Sequence, residues 1–359
     1  MAVAERRSAT MLDALAGVSP GRPLREGLDR ILQAGMGALV VVGDGPEVLA
    51  ICSGGFLLDA AFTPQRLSEL AKMDGAIILA SDASRIARAN VHLVPDPHVP
   101  TSETGTRHRT AERVARSISV PVISVSEDQQ VIAVYAGAEK HPLEAIPRLL
   151  NRANQGLSTL ERYKNRLDTV SASLSALEVE DLVTLRDVMT VLQRTEMVRR
   201  IAEEIEGYIV ELGEDGRLVR LQLDELMGGV EDERRLVLGD YFRQDDSWDL
   251  DEALGVLAAM ETDELLDLTA SARRLHLPGD VVDPDAGLSP RGLRMLSKVP
   301  RLTERAAKRI VDHFGNLQKV LRASVEDLDA VNGVGGAQAR AIKEAVARLA
   351  EASLLDRYS

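Results

Sequence analysis

The pattern of apolar and polar positions divides the chain near residue 142. Before that point, short apolar runs alternate with stretches of helical period. Ala38–Val42 and Val48–Cys52, joined by Gly43-Asp44-Gly45-Pro46, read as two strands of a hairpin. Ala76–Ala80, Val91–Val94, Val120–Val125 and Val131–Tyr135 read as further strands. Helical periodicity covers Thr10–Leu32, broken at Ser19-Pro20-Gly21, and Pro64–Met73, which carries proline in its first turn. Ala111, Val114, Ala115 and Ile118 recur at i, i+3, i+4 and i+7, the stripe of a helix with one buried face. Such alternation predicts an α/β domain with helices covering a central sheet, and the early hairpin predicts that the sheet is mixed.

Beyond His141-Pro142 the strand signals stop. Ile146–Met260 reads as helical, with long periodic stretches at Leu182–Leu192 and Val198–Leu212. Gly213, Gly216, Gly228-Gly229 and Gly239 are expected to mark the connections, and Glu203-Glu204-Ile205-Glu206 to form a solvated face. Trp248, without aromatic company, reads as a packing anchor. Pro278-Gly279-Asp280 and Asp283-Pro284-Asp285 form a turn-rich linker. The final seventy residues are helical again. The expected fold class is therefore multidomain, α/β followed by all-α, with domains at 1–145, 146–286 and 287–359.

Composition sharpens this picture in three ways. Hydrophobic content is 45% but aromatic content only 3%, so the cores must be aliphatic. The single cysteine, Cys52, sits in an apolar run, which makes it a core thiol and excludes an internal disulfide framework. No apolar run is long enough to span a membrane, and Met1–Arg7 lacks a signal-peptide hydrophobic region, so a soluble, cytoplasmic protein is expected. The net charge of −13 conceals a basic tail: Ser289–Ser359 carries 13 Lys+Arg against 8 Asp+Glu. A basic tail on an acidic body points to polyanion binding by the tail.

The first candidate chemistry lies in Gly105-Thr106-Arg107-His108-Arg109-Thr110-Ala111-Glu112-Arg113-Val114-Ala115. A helix N-terminus already offers free N–H donors and partial positive charge. Arginines and a histidine placed there suit a phosphate group in front of them. Upstream, Asp74-Gly75-Ala76 enters an apolar strand. A carboxylate at that lip can hold a hard divalent cation, and Gly75 lets a ligand approach the backbone.

These two segments, about thirty residues apart, together resemble the paired signature of diadenylate cyclases, enzymes that condense two ATP into cyclic di-AMP with release of pyrophosphate. Taken with the helical segment and the basic tail, the resemblance covers essentially the whole chain and points to the branch that couples synthesis to DNA. It implies that Asp74 binds Mg²⁺ or Mn²⁺ and acts in catalysis with Arg107, His108 and Arg109. It implies nucleotide contacts from Gly75, Ala76, Leu93, Thr106, Arg107, His108, Arg109, Thr110 and Ser126, with Glu127 a weaker metal candidate. It further implies face-to-face cyclase domains in a homo-oligomer, an octamer in the family.

The second candidate chemistry is at Leu328–Ile342. Its Gly333-Val334-Gly335, followed four residues later by Ala339 and an apolar helix, resembles the helix-hairpin-helix DNA-binding motif. The glycines let the backbone approach a phosphate, the next helix offers N–H groups, and Arg340 and Lys343 add charge. Leu296–Ile310 aligns with this unit, bringing Lys298, Arg301 and Arg305, but Arg301 and Thr303 replace the glycines. The first hairpin is therefore expected to hold phosphate less closely. Branched DNA such as a Holliday junction is the implied partner, with DNA lowering cyclase output. The competing readings are a non-enzymatic junction-binding scaffold that senses ATP and, less well supported for want of an acidic cluster, a nuclease subunit.

Overall fold

A computed structural model describes residues 7–242, 249–275, 277 and 283–358. Met1–Arg6, Trp248 and Pro278-Gly279-Asp280 lie outside the described residues. The chain forms two compact units: residues 1–157 with 203–222, and residues 158–202 with 223–359.

The first unit begins with α1 (Ala9–Gly17) and α2 (Pro23–Gln33), separated at the expected break. An eight-stranded sheet is built from β1 (Ala38–Val42), β2 (Cys52–Ser53), β3 (Phe56–Ala61), β4 (Ala76–Leu79), β5 (Arg85–Leu93), β6 (Val122–Ser126), β7 (Val131–Ala136) and β8 (Glu139–Pro142). Helices α3 (Pro46–Ala50), α4 (Pro64–Leu70) and α5 (Thr106–Ile118) are interspersed. The strand order is β2-β5-β4-β1-β6-β7-β8, with β3 also pairing β5. Parallel pairing of β1 with β4, amid antiparallel neighbours, makes the sheet mixed.

Alternation along the strands sorts the core into two faces. Val40, Ile77, Leu79, Ile123 and Val134 pack beneath α1, α2 and α4. Leu39, Val41, Ile78, Val122 and Tyr135 pack with the α5 stripe of Ala111, Val114 and Ala115.

Three expectations are corrected. The strand at Val48–Cys52 does not form: Pro46 sets the first turn of α3, only Val48 of that helix is buried, and Cys52–Ser53 pairs with β5. No hairpin follows β1, because its two sides are already taken by β4 and β6. The sheet is thus mixed for a different reason. Third, Gly239 lies inside a helix, α9 (Val230–Tyr241), where a Cβ would stand 3.3 Å from Leu293. Strands β3 and β8 escape the periodicity because most of their side chains are exposed or only partly covered.

Gly75 has a structural role that the sequence conceals. Asn90 breaks the β4–β5 register with a left-handed φ of 53°, and a Cβ on Gly75 would stand 2.6 Å from its backbone. Gly75 therefore admits the neighbouring strand, and the resulting bulge shapes the lip beside Asp74.

Helices α6 (Ile146–Glu180) and α7 (Leu185–Leu212) contribute to both units. Helix α8 (Arg217–Met227) likewise contributes to both, and the second unit adds α9, α10 (Leu250–Ala259), α11 (Thr262–Leu266) and α12 (Leu268–Arg274). It ends in α13 (Leu293–Ser297), α14 (Glu304–Phe314), α15 (Leu317–Arg322), α16 (Val325–Asp329) and α17 (Gly336–Tyr358). The last five share one aliphatic core, including Leu296, Ile310, Leu328 and Ile342.

The start of α13 is held by buried charge. Arg294, 1% exposed, pairs with Glu178 at 2.6 Å and Glu233 at 2.5 Å. The Asp240 carboxylate accepts the N–H groups of Gly292, Leu293 and Arg294 at 2.6–2.8 Å. Burial, reinforced by the charge of Glu178, pushes the Asp240 pKa up to about 7 despite those three donors.

Two outcomes are expected. Gly75→Ala must force β4 and β5 apart, lowering stability by about 1–3 kcal/mol as an overpacked site; thermal melting without ligand measures it. Asp240 binds its proton more tightly folded than unfolded, so its contribution to stability falls as pH rises from about 4 towards 8. Asp240→Asn should remove that share of the pH dependence, measured as melting midpoints across the same window.

Candidate functional site

The sheet brings the cyclase-like residues to one edge. Strands β1 and β4 begin there and β5 and β6 end there, so Gly37, Asp74, Gly75, Ser126 and the N-terminus of α5 converge. Gly105 is the N-cap of α5, and the Arg109 N–H closes the first helical bond, on the Gly105 carbonyl at 2.9 Å. The N–H groups of Thr106, Arg107 and His108 thus lie outside the helical ladder and face the edge.

Asp74 is 95% exposed on its side chain, and Arg107 Nη2 donates to it at 3.0 Å. A surface pair of this kind contributes about 0–1 kcal/mol, so either partner exchanges readily for a ligand. Gly37 makes room for the guanidinium: a Cβ there would stand 2.3 Å from Arg107 Nη1. Arg109 is exposed, whereas the Thr110 hydroxyl donates back to the Thr106 carbonyl at 2.9 Å. Ser126 ends β6, where its Oγ accepts the Gln129 N–H, and Glu127 beyond it is exposed. Leu93, the last residue of β5, is buried in the core on the α5 side of the sheet.

His108 differs from its neighbours. Its Nδ1 lies 2.8 Å from Tyr135 Oη, which also donates to Glu103 at 3.3 Å, and Glu103 pairs with Lys140 at 2.5 Å. Burial lowers the His108 pKa, and Lys140 and Arg107 lower it further against the opposing charge of Glu103. The ring therefore favours its neutral form at pH 7, and the arginines carry the positive charge of the helix start. Burial, with Glu103 beside it, raises the Tyr135 pKa and keeps the phenol protonated.

Glu112 secures the approach to this helix. Its buried carboxylate accepts from the Thr101 hydroxyl at 2.5 Å and the Ser102 N–H at 3.0 Å, and pairs with Arg116 at 2.7 Å. Burial raises its pKa, but these partners bring it below the ordinary value. Glu103, Glu112 and Tyr135, together with Gly37 and Asn90, carry no motif that marks them in the sequence. Only Glu112 left a trace there, as an acid beside the apolar stripe.

Among the described residues, no group of three or more His, Cys, Asp or Glu converges as a metal cage. A single accessible carboxylate still suits an ion whose other ligands are substrate phosphates and water. Two clefts of this unit, of about 670 and 550 Å³, lie along α2 near Arg22 and Arg30 and between α1 and Phe62. Neither includes Asp74 or Arg107, whose side chains are 95% and 45% exposed, so these two residues sit on an open edge.

In the second unit the two hairpins superpose position for position along the chain. Gly333 has φ +81° and Arg301 φ +63°, so an arginine takes the left-handed conformation expected of glycine. The turn bonds match: Leu302 N–H to Val299 and Val334 N–H to Val331, then Ala307 to Thr303 and Ala339 to Gly335. The first hairpin thus keeps the same turn with Arg301 and Thr303 in place of the two glycines. Lys298, Arg301, Arg305 and Arg340 are exposed, but Lys343 is tied to the Leu321 carbonyl at 2.8 Å.

A mixed-sheet domain with a phosphate-ready helix terminus, followed by helices and paired hairpins, defines a nucleotide-binding protein with a nucleic-acid-binding module. Residues 25–140 match the DisA bacterial checkpoint controller nucleotide-binding family, 143–282 its linker region, and 293–348 a SAM-like helix-hairpin-helix tandem. A DNA integrity scanning protein DisA from Frankia casuarinae is 57% identical over 345 residues, 96% of each chain. That from Streptomyces coelicolor is 54% identical over 351 residues, covering 97% of this chain and 94% of its own. The chain belongs to the DNA integrity scanning protein DisA family. It is a diadenylate cyclase, with DNA-binding hairpins. Among the described residues, no helix is long and apolar enough to cross a membrane.

Tyr135→Phe tests the support of His108. One lost hydrogen bond of about 0.5–1.5 kcal/mol should lower kcat by roughly 2- to 12-fold with little change in KM for ATP. Steady-state kinetics measure the split. An equal rise in KM at constant kcat would show that the phenol serves only ground-state binding.

Proposed function

We propose that the open sheet edge is the cyclase site and that the hairpins report branched DNA to it. The observation that carries this reading is the juxtaposition of Asp74 with Arg107 at an open helix terminus. Arg107, Arg109 and the N–H groups of Thr106–His108 hold the ATP phosphates, with Ser126 beside them. Gly75 and Ala76 present the strand entry to the nucleotide, Thr110 closes the first turn, and Leu93 backs the adenine side. Neutral His108, held by Tyr135, serves as a hydrogen-bonding group that adds no further charge.

The reaction is phosphoryl transfer at the α-phosphate. A ribose 3′-oxygen forms the new P–O bond, the bond to the leaving diphosphate breaks, and the hydroxyl proton is released. The chain contributes mainly positioning and charge neutralisation. A Mg²⁺ or Mn²⁺ ion shared between Asp74 and the phosphates would neutralise leaving-group charge and acidify the attacking hydroxyl. Arg107 moves from Asp74 to phosphate as ATP arrives, exchanging a weak surface pair for a charge-assisted contact.

One edge holds one ATP, and the product joins two, so two cyclase domains must face each other. An open edge, rather than an enclosed cleft, fits a site completed by a second copy. The assembly is a homo-octamer acting in the cytoplasm. Residues 1–145 serve as cyclase, 146–286 as spine and 287–359 as DNA reader. Junction DNA, where several phosphate tracks converge, engages the hairpins and lowers cyclic di-AMP output, a coupling of about 1–3 kcal/mol.

Product analysis after incubation with ATP and Mn²⁺ or Mg²⁺ tests the reading. Asp74→Asn should abolish cyclic di-AMP formation while leaving melting and oligomer size unchanged; near-normal turnover would overturn the metal assignment. A four-way junction should inhibit the wild type. A Lys298, Arg301 and Arg305 triple alanine variant should lose both binding and inhibition. Inhibition that persists without binding would sink the regulatory half of the proposal.

A further inference from the structure

The hairpins share a backbone but differ in where their positive charge comes from. A shift of 32 positions places Leu296 on Leu328, Arg301 on Gly333, Thr303 on Gly335 and Ala307 on Ala339. The same shift places Arg309 of α14 on Ala341 of α17, so the second hairpin has no counterpart of this arginine.

The Arg309 guanidinium lies over the turn of the other hairpin. A Cβ on Gly333 would stand 2.7 Å from both Nη1 and Nη2 and 2.8 Å from Cζ. Gly333 is therefore required twice, for its left-handed backbone and for the space the guanidinium fills. Arg309 is half-buried, and among the described residues it has no carboxylate partner and no hydrogen bond; its Nε is buried without an acceptor. Its neighbours are satisfied: Arg291 pairs with Asp312 at 2.8 Å, and Lys343 donates to a carbonyl. A guanidinium keeps its charge at ordinary pH, so partial burial without an acceptor is costly unless an anion arrives from outside.

We propose that Arg309 supplies the charged half of the second hairpin's phosphate site, the backbone of the Gly333–Gly336 turn supplying the rest. Each turn is then served by one arginine: the first by Arg301 on the turn itself, the second by Arg309 lent from α14. The first hairpin is thus part of the second hairpin's clamp, and the tandem binds DNA as one surface. The ligand is a phosphate of the DNA backbone, contacted without regard to base. The inference rests on the DNA-binding reading of the hairpins.

The test uses the full-length protein and a fluorescently labelled four-way junction, with anisotropy titrations across a series of salt concentrations. Arg309→Gln keeps length and polarity and removes the charge. It should weaken binding at low salt by roughly an order of magnitude and make the slope of log K against log salt shallower by about 0.9, one phosphate contact. Arg309→Lys should retain the wild-type slope with part of the affinity. A Gln variant with wild-type affinity and slope overturns the proposal. So does a Gln variant that melts earlier yet keeps the slope, because the side chain would then serve packing alone. Should Gln fail to fold, the Lys variant decides: a slope shallower by one contact despite retained charge overturns the assignment. Wild-type protein that does not bind the junction overturns the DNA-binding reading instead, and the proposal with it.

Discussion

The proposed nucleotide site depends on how α5 is held against the sheet. Its stripe of Ala111, Val114 and Ala115 is small, so the helix sits close to the strands and its N-terminus comes level with the lip at Asp74. Small side chains contribute little apolar area, and anchoring therefore falls partly to polar groups. Glu112 provides it by tying residues 101 and 102 to the helix through a buried carboxylate. Tyr135 reaches from β7 to His108 and fixes the first turn from the sheet side. Removing either tether would leave the basic turn present but poorly aimed.

The sheet edge is shaped by two glycines that act through neighbouring protein atoms. Gly37 yields to a guanidinium and Gly75 to the Asn90 backbone. Both positions thereby shape the strand ends: one leaves Arg107 room to reach Asp74, the other accommodates a bulge beside it. The open geometry that results has a physical consequence for catalysis. Water reaches this edge freely in the single chain, and charge neutralisation is weak in a high dielectric; that is the physical reason the proposed reading calls for a second copy facing it.

Much of this is legible in the amino-acid sequence. Apolar runs at Ala38–Val42 and Ala76–Ala80 mark β1 and β4 because both faces of those strands are buried, and such strands advertise themselves as continuous hydrophobic segments. The helix at residues 105–118 is readable from its stripe. Illegible are segments whose side chains meet water, as in β3 and β8, and Val48–Cys52, where proline chemistry overrides an apolar run. The pairing of Asp74 with Arg107 follows from the motif, but the neutral state of His108 does not, since it arises from Tyr135, Glu103 and Lys140, remote along the chain or outside the motif. Arg301 misleads for a related reason: its residue type argues against a left-handed turn, yet the packed hairpin imposes one, at a strain of about 1–3 kcal/mol.

The buried network around Arg294 bears on how the DNA reader is joined to the rest of its unit. Glu178 lies on α6, Glu233 and Asp240 on α9, and all three face the start of α13. Gln318 adds two bonds to the carbonyls at the end of α6, and Lys298, at the mouth of the first hairpin, donates to Ser175 at 3.4 Å. Removing one partner of a buried charge pair typically costs about 3–5 kcal/mol, because the other is left uncompensated. Cutting the chain before α13 would strand three carboxylates at once. The hairpins are therefore a continuation of the helical unit and not a detachable end. Lys298 thus ties the first hairpin to α6 beside the buried polar groups that hold the start of α13, so the hairpins and the helices of their own unit are packed as one body.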